Sequence, residues 1–155
     1  AKKLFVVLAR TVKNLNKTVI TIMSLVSIAS VMNYAGMIGV IASALVAATG
    51  VYYPLFVPLI GAIGTFVTGS DTSSNILFGK LQANVASQLS YPDPNWLVSA
   101  NTAGATGGKI ISPQSIAIAT ASCNMPGRDG EILRSALPYA IGYIILAGLM
   151  VYFAC

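Results

Sequence analysis

The sequence predicts an all-α, polytopic membrane protein whose spanning helices are accompanied by discontinuous, re-entrant helical segments. Three observations predict it. Of the 155 residues, 55% are hydrophobic and only 8% charged, against roughly a quarter charged in ordinary soluble domains. With a mean hydropathy of +0.77, such a chain cannot clothe a globule in charge, so lipid must solvate much of it. Several apolar runs approach the length that crosses a bilayer. Two stretches rich in Gly, Ser, Thr and Asn, residues 69–75 and 101–115, interrupt those runs. Irregular backbone at membrane depth is tolerated only when buried in protein or lining a watery cavity.

The net charge of +5 comes mostly from Lys2, Lys3, Arg10, Lys13 and Lys17, with no acid among them. No aromatic stacking pattern accompanies this cluster and it feeds an apolar run. It therefore reads as a cytoplasmic membrane flank and not as a nucleic-acid surface. The chain has no histidine, which excludes imidazole catalysis and His-ligated metals, and Cys123 and Cys155 have no metal or redox spacing. No cofactor and no metal are expected. The chain begins at Ala1 without a signal pattern, and the expectation is one membrane domain over residues 1–155, cut from a longer protein.

Residues 1–8 are too short to span. Thr18–Tyr34 runs uncharged for about 17 residues, about 26 Å as a helix, and is expected to be the first transmembrane helix. In 35–50, Ala35, Gly39, Ser43 and Ala47 form a small-xxx-small row that admits a close helix neighbour. Tyr52 and Tyr53 look like interfacial anchors. Pro54–Thr68 carries two prolines and two glycines, tolerable only in a membrane bundle. Ser74–Leu89 resumes as a helix with Leu77, Leu81, Val85 and Leu89 on one face; Lys80, Gln82, Asn84 and Gln88 lie off it. Trp96–Ser122 is expected to be interrupted, with short apolar pieces either side of glycines. Ser135–Phe153 is the last span, with Arg128 and Arg134 placing the loop before it on the cytoplasmic side.

The two breaks are expected to face one another and form a binding site. At Gly69–Asn75, Asp71, Thr72, Ser73 and Ser74 are all helix N-cap types, yet one cap needs one such residue. A helix start also offers unpaired N–H groups to an anion. Lys109 follows Gly107-Gly108 and precedes Ser112-Pro113, which reads as an unwound segment. Its charge either snorkels to the headgroups, binds a carboxylate, or pairs with Asp71. Broken helices meeting near mid-membrane are the signature of secondary transporters.

At these residues the sequence resembles the lactate permease family of bacterial secondary transporters. The resemblance lies in Gly69-Ser70-Asp71-Thr72-Ser73-Ser74-Asn75 with Leu77-Phe78 and Leu81-Gln82, then Ala100-Asn101-Thr102, Gly104 and Gly108-Lys109. It continues through Ile111-Ser112-Pro113-Gln114-Ser115-Ile116-Ala117, and reaches back to Met32-Asn33-Tyr34, Gly36 and Ala47-Ala48-Thr49-Gly50. Ala103, Ala105, Gly107 and Ile110 depart from the family pattern. The resemblance implies a carboxy-terminal portion of a much longer, multi-pass cell (inner) membrane carrier, whose amino-terminal part is missing here. It implies import of L-lactate and related 2-hydroxy monocarboxylates such as glycolate, coupled to protons, with the bilayer as solvent and no nucleic-acid partner. The substrate contacts it implies are Ser70, Thr72, Ser73, Ser74, Asn75, Asn101, Thr102, Gly104, Lys109, Ser112 and Gln114. Asp71, the sole acid before Tyr91, is the expected proton-coupling group.

Two other classes compete. A membrane-embedded enzyme would use Asp71 and a hydroxyl as acid–base and nucleophile, but no Gly-x-Ser-x-Gly or metal motif supports it, and no catalytic residue is assigned. A structural membrane subunit would carry packing motifs only, and uncharged replacements of Asp71 and Lys109 would leave it unaffected.

Overall fold

A computed structural model describes residues 26–154 except 92 and 126, together with Val6, Leu8, Ile20, Met23 and Ser24. The basic cluster and, of the expected span Thr18–Tyr34, residues 18, 19, 21, 22 and 25 lie outside the described residues. Residues 26–34 are helical and turn at Ala35-Gly36. Six helices follow: α1 (Met37–Thr49), α2 (Tyr53–Thr68), α3 (Asp71–Gln88), α4 (Asn95–Ile111), α5 (Pro113–Ser122) and α6 (Asp129–Ala154), with a 3-10 turn at Gly50–Tyr52. There is no strand among the described residues, and the all-α expectation holds.

Two stretches are long and apolar enough to cross a membrane: Met37–Thr68, which takes in α1, the 3-10 turn and α2, and Asp129–Ala154. Their outward faces carry large apolar side chains such as Val40, Val67, Met150 and Phe153. That is the surface expected where lipid replaces water as solvent. The last span starts two turns earlier than the apolar run suggests. Asp129 and Glu131 occupy its first turn, where carboxylates complement the helix dipole. Thr120 donates to Asp129 Oδ1 at 2.9 Å, and Arg128 pairs with Glu131.

Helix α4 sits in the middle of the bundle, against α2, α3 and α6. Its closest partner is α2, and glycine sets that distance. A β-carbon on Gly104 would collide with the Pro58 carbonyl, one on Gly108 with that of Ala62, and one on Gly61 with that of Asn101. The backbones therefore touch without intervening side chains, as small residues allow between membrane helices. On the third side, Gly148 of α6 approaches α2 so closely that a β-carbon would stand 2.7 Å from the Leu55 carbonyl oxygen. Val57, Val85 and Leu97 close the core, each fully buried.

Three sequence expectations are corrected here. The unwound segment expected from Gly107 to Pro113 contracts to Ser112: α4 runs unbroken from Asn95 to Ile111. Each interior glycine costs a helix about 1 kcal/mol in water, but in apolar surroundings a broken backbone hydrogen bond finds no replacement, so the helix persists and the glycines become contact points. Tyr53 is no interfacial anchor but wholly buried; Tyr52 is the exposed one, its ring stacked on Tyr152 at 6.1 Å. Finally, the row Gly39, Ser43 and Ala47 looks away from the bundle; α1 buries Ile38 and Ala42 instead. Gln82, off the apolar stripe of α3, faces the core and is fully buried.

Candidate functional site

The first break shrinks to two residues. Gly69 ends α2 with φ 70, and its N–H bonds Thr65 O at 2.7 Å. Ser70 is extended and caps α3, its Oγ accepting from the Ser73 N–H at 3.3 Å. Asp71, Thr72, Ser73 and Ser74 form the first turn of α3, so the row of cap-type residues holds one cap and a polar helix start. The second break is built the same way. Ser112 is extended between α4 and α5, Pro113 follows it, and Ser112 Oγ accepts from the Ser115 N–H at 3.3 Å.

These two breaks meet. A β-carbon on Gly69 would run into the side chain of Gln114, in the first turn of α5. Gly69 is therefore required twice, for its left-handed backbone and for the room it leaves.

From there a line of polar side chains runs into the core between α2, α3 and α4. Tyr53 Oη donates to Gln82 Oε1 at 2.6 Å. Gln82 Nε2 donates to Asn101 Oδ1 at 3.3 Å, and Asn101 Nδ2 to Asn75 Oδ1 at 2.8 Å. Thr102 Oγ1 also reaches Asn75 Oδ1, at 3.2 Å. Ser74 Oγ donates to the Gly61 carbonyl at 2.9 Å. Tyr53, Gln82, Asn101 and Ser74 have no exposed surface, whereas Asn75 is half-buried and Thr102 exposed. Buried polar groups at this depth are tolerable because each finds a partner. Two buried oxygens stand apart from that rule: Thr65 Oγ1 and Asp71 Oδ1 have no hydrogen-bond partner among the described residues.

The exposed side of α4 is also polar. Asn95, Ser99, Thr102, Thr106 and Lys109 are all exposed and alternate at spacings of four and three, which keeps them on one face. Lys109 thus shares a face with Thr102. It makes no ion pair with Asp71, so of the three alternatives open to it from sequence that one is not seen. The flanking face of α4, with Trp96 and Ala103, adjoins α6 and an apolar pocket of about 370 Å³ also lined by Tyr143, Leu146 and Met150. That pocket has no chemistry for an anion.

Of the residues singled out from sequence, Asn75, Asn101, Thr102 and Ser74 therefore gather along the seam. Ser70 and Ser112 cap helices, and Gln114 joins the two breaks. Ser73 is buried and bonded to its cap; Thr72 is exposed. Gly104 serves the contact with α2, and Lys109 stands at the carboxy-terminal end of the polar face, in the last turn of α4. Sequence reasoning missed Tyr53 and took Gln82 for an off-stripe residue. One signal was available for Gln82: it adjoins Leu81 on a helix with few apolar residues to bury. No cluster of acidic or cysteine side chains suited to a metal occurs among the described residues.

Chemically the seam offers uncharged donors and acceptors, two helix starts, one unpaired carboxylate oxygen and one exposed cation. Such a set suits a small polar ligand better than an apolar one.

Comparison with known proteins covers the whole chain. A family model described as L-lactate permease matches residues 1–155. The chain is 43% identical over 149 residues to the glycolate permease GlcA of Escherichia coli (strain K12), covering 96% of this chain and 26% of that protein. It is 40% identical over 140 residues to an L-lactate permease of the same strain, covering 90% and 25%. With an L-lactate permease of Bacillus subtilis (strain 168) the identity is 38% over 146 residues, covering 94% and 26%. The chain spans about a quarter of the length of these relatives. No solved structure matches.

Proposed function

The chain belongs to the L-lactate permease family, and from that membership we propose that it forms part of a secondary active transporter. Its substrates are L-lactate and related 2-hydroxy monocarboxylates such as glycolate, imported across the inner cell membrane by proton symport. The family and the relatives are permeases, so chemistry on a substrate is not part of this reading.

The observation that carries it is the polar face of α4, Asn95 to Lys109, exposed beside the Asn75–Asn101–Thr102 cluster. In a membrane bundle such a face has to meet water or other protein. We take it as one wall of the substrate path, with the remainder of the longer permease supplying the opposite wall. Asn75, Thr102 and the starts of α3 and α5, including Ser70, Thr72, Ser112 and Gln114, receive the substrate. Lys109 draws in its carboxylate, and Asp71 carries the coupled proton.

Uptake of labelled L-lactate into vesicles holding the full-length permease tests this, with and without an imposed proton gradient. Accumulation that follows the gradient supports the reading. Uptake that ignores the gradient removes the proton, and absence of uptake of both lactate and glycolate removes the substrate class.

A further inference from the structure

The hydrogen bonds of the seam have a direction. Tyr53 Oη donates to Gln82, Gln82 Nε2 to Asn101, and Asn101 Nδ2 to Asn75. Each amide along the way therefore has its oxygen turned toward Tyr53 and its nitrogen turned away. At the end of the line, Asn75 Oδ1 takes two donors, from Asn101 and Thr102. The Asn75 amide nitrogen is left facing outward, with no partner among the described residues.

A second arrangement satisfies the same three amides. If all three flip, Gln82 donates to the Tyr53 oxygen, Asn101 to Gln82 and Asn75 to Asn101, and Asn75 then turns its oxygen outward. The two arrangements differ at the phenol. Tyr53 is fully buried and among the described residues its O–H bonds only Gln82, so the flipped line strands the hydroxyl proton without an acceptor there. A buried donor left unmade is the expensive outcome. Tyr53 thus polarises the line, and Gln82 transmits that polarity across the core because an amide is a donor at one end and an acceptor at the other.

We propose that Tyr53 and Gln82 are positioning residues that hold the half-buried Asn75 amide with its N–H groups toward the substrate path, where they bind a carboxylate. This rests on the permease reading above and names the group at that site that recognises the anion. With the opposite polarity the same asparagine would present a carbonyl oxygen, which repels a carboxylate. Anion recognition would then depend on a tyrosine of the adjacent helix α2 that never touches the substrate.

The test is Gln82→Glu in the full-length permease, read as the KM for L-lactate exchange at equal pH on both sides, relative to the unaltered protein at each pH. An ionised carboxylate only accepts hydrogen bonds. It takes one from Tyr53, compels Asn101 to turn its nitrogen inward, and so reverses Asn75. Protonation returns an O–H that donates to Asn101 and restores the original polarity. Among the described residues, Tyr53 is the titratable side chain in hydrogen-bond contact with Gln82, and Asn101 is the contact from α4. The expected result is a KM raised about tenfold or more near pH 8, falling back toward the unaltered value as pH is lowered, with Vmax much less affected. Gln88→Glu, the same change on the exposed last turn of α3, should show no such recovery. A relative KM that stays constant with pH, whether raised or not, overturns the proposal. Asn75→Leu separates the underlying reading: if lactate KM is unchanged there, the site itself is wrong, whereas a raised KM with a pH-independent Gln82→Glu condemns only the relay. Should Gln82→Glu fail to reach the membrane, Gln82→Met decides. A KM raised with Vmax retained supports the relay, and an unchanged KM overturns it.

Discussion

Helices α4 and α6 are neighbours that answer opposite demands. α4 has 17 residues, about 26 Å of helix, and α6 has 26, about 39 Å. On α6 the apolar residues point outward, with Leu146, Met150 and Phe153 exposed, and few side chains are buried. On α4 the order is inverted: glycines and alanines face the bundle, and Asn95, Ser99, Thr102, Thr106 and Lys109 face out. A lipid-facing helix gains nothing from burying apolar groups, since hydrocarbon lies on both sides of the question. Its neighbours are instead gathered by close backbone contact and by polar partners. The difference teaches that position in this bundle is decided by which surface lipid cannot solvate, and α4 carries that surface.

The comparison can be broken most severely at the glycines. Gly104→Leu or Gly108→Leu places a side chain where the Pro58 or Ala62 carbonyl already stands. Overpacking typically costs about 1–3 kcal/mol and more where backbone must move, so folded permease should be nearly lost on size-exclusion chromatography in detergent. Gly142→Leu on α6 meets open space and should elute as the unaltered protein does. Equal elution of all three variants would deny that glycine sets the α2–α4 distance.

The next largest effect contrasts two acids at helix starts. Asp71 opens α3 with a buried, unpartnered oxygen, whereas Glu131 near the start of α6 is exposed and paired with Arg128. Asp71→Asn should reduce lactate accumulation on a proton gradient to the equilibrium ratio while exchange continues. Glu131→Gln should leave accumulation intact. Concentrative uptake by Asp71→Asn would make Asp71 a helix-start residue only.

Cations give the third contrast. Lys109 ends the polar face of α4, and Arg134 lies exposed on α6. If Lys109 meets the carboxylate, Lys109→Gln should weaken lactate binding about ten- to a hundredfold, the worth of a charge-assisted hydrogen bond of about 1.5–3 kcal/mol. Arg134→Gln should not change it. Unaltered affinity in Lys109→Gln would return that lysine to the headgroup region. Smallest of all, Leu146→Val and Phe153→Leu, on the outward face of α6, should each shift stability by no more than about 0.5 kcal/mol and leave KM unchanged.

Much of this was legible in residues alone. The helical class, the last span and a helix start at the first polar break follow from composition and periodicity. The caps, however, fall on Ser70 and Ser112 and not on the residues after Ser70. Asn75, Asn101 and Thr102 stood out only through the family motifs. The misjudged places share one cause. Gly107-Gly108 reads as a break and Tyr53 as an anchor because local propensity is calibrated on surroundings that supply water.

The sequence by itself determined that the chain is a helical membrane protein and which polar residue types collect at 69–75 and 101–115. Those properties depend on near neighbours along the chain and on the solvent, and both are written in composition and spacing. Only the tertiary structure decided that Gly69 lies against Gln114, that α4 stays helical through its glycines, and that Tyr53, Gln82, Asn101 and Asn75 form one directed line. Those pairs are 45, 29, 19 and 26 residues apart or join three separate helices, and a hydrogen bond exists only when folding brings donor and acceptor to about 3 Å.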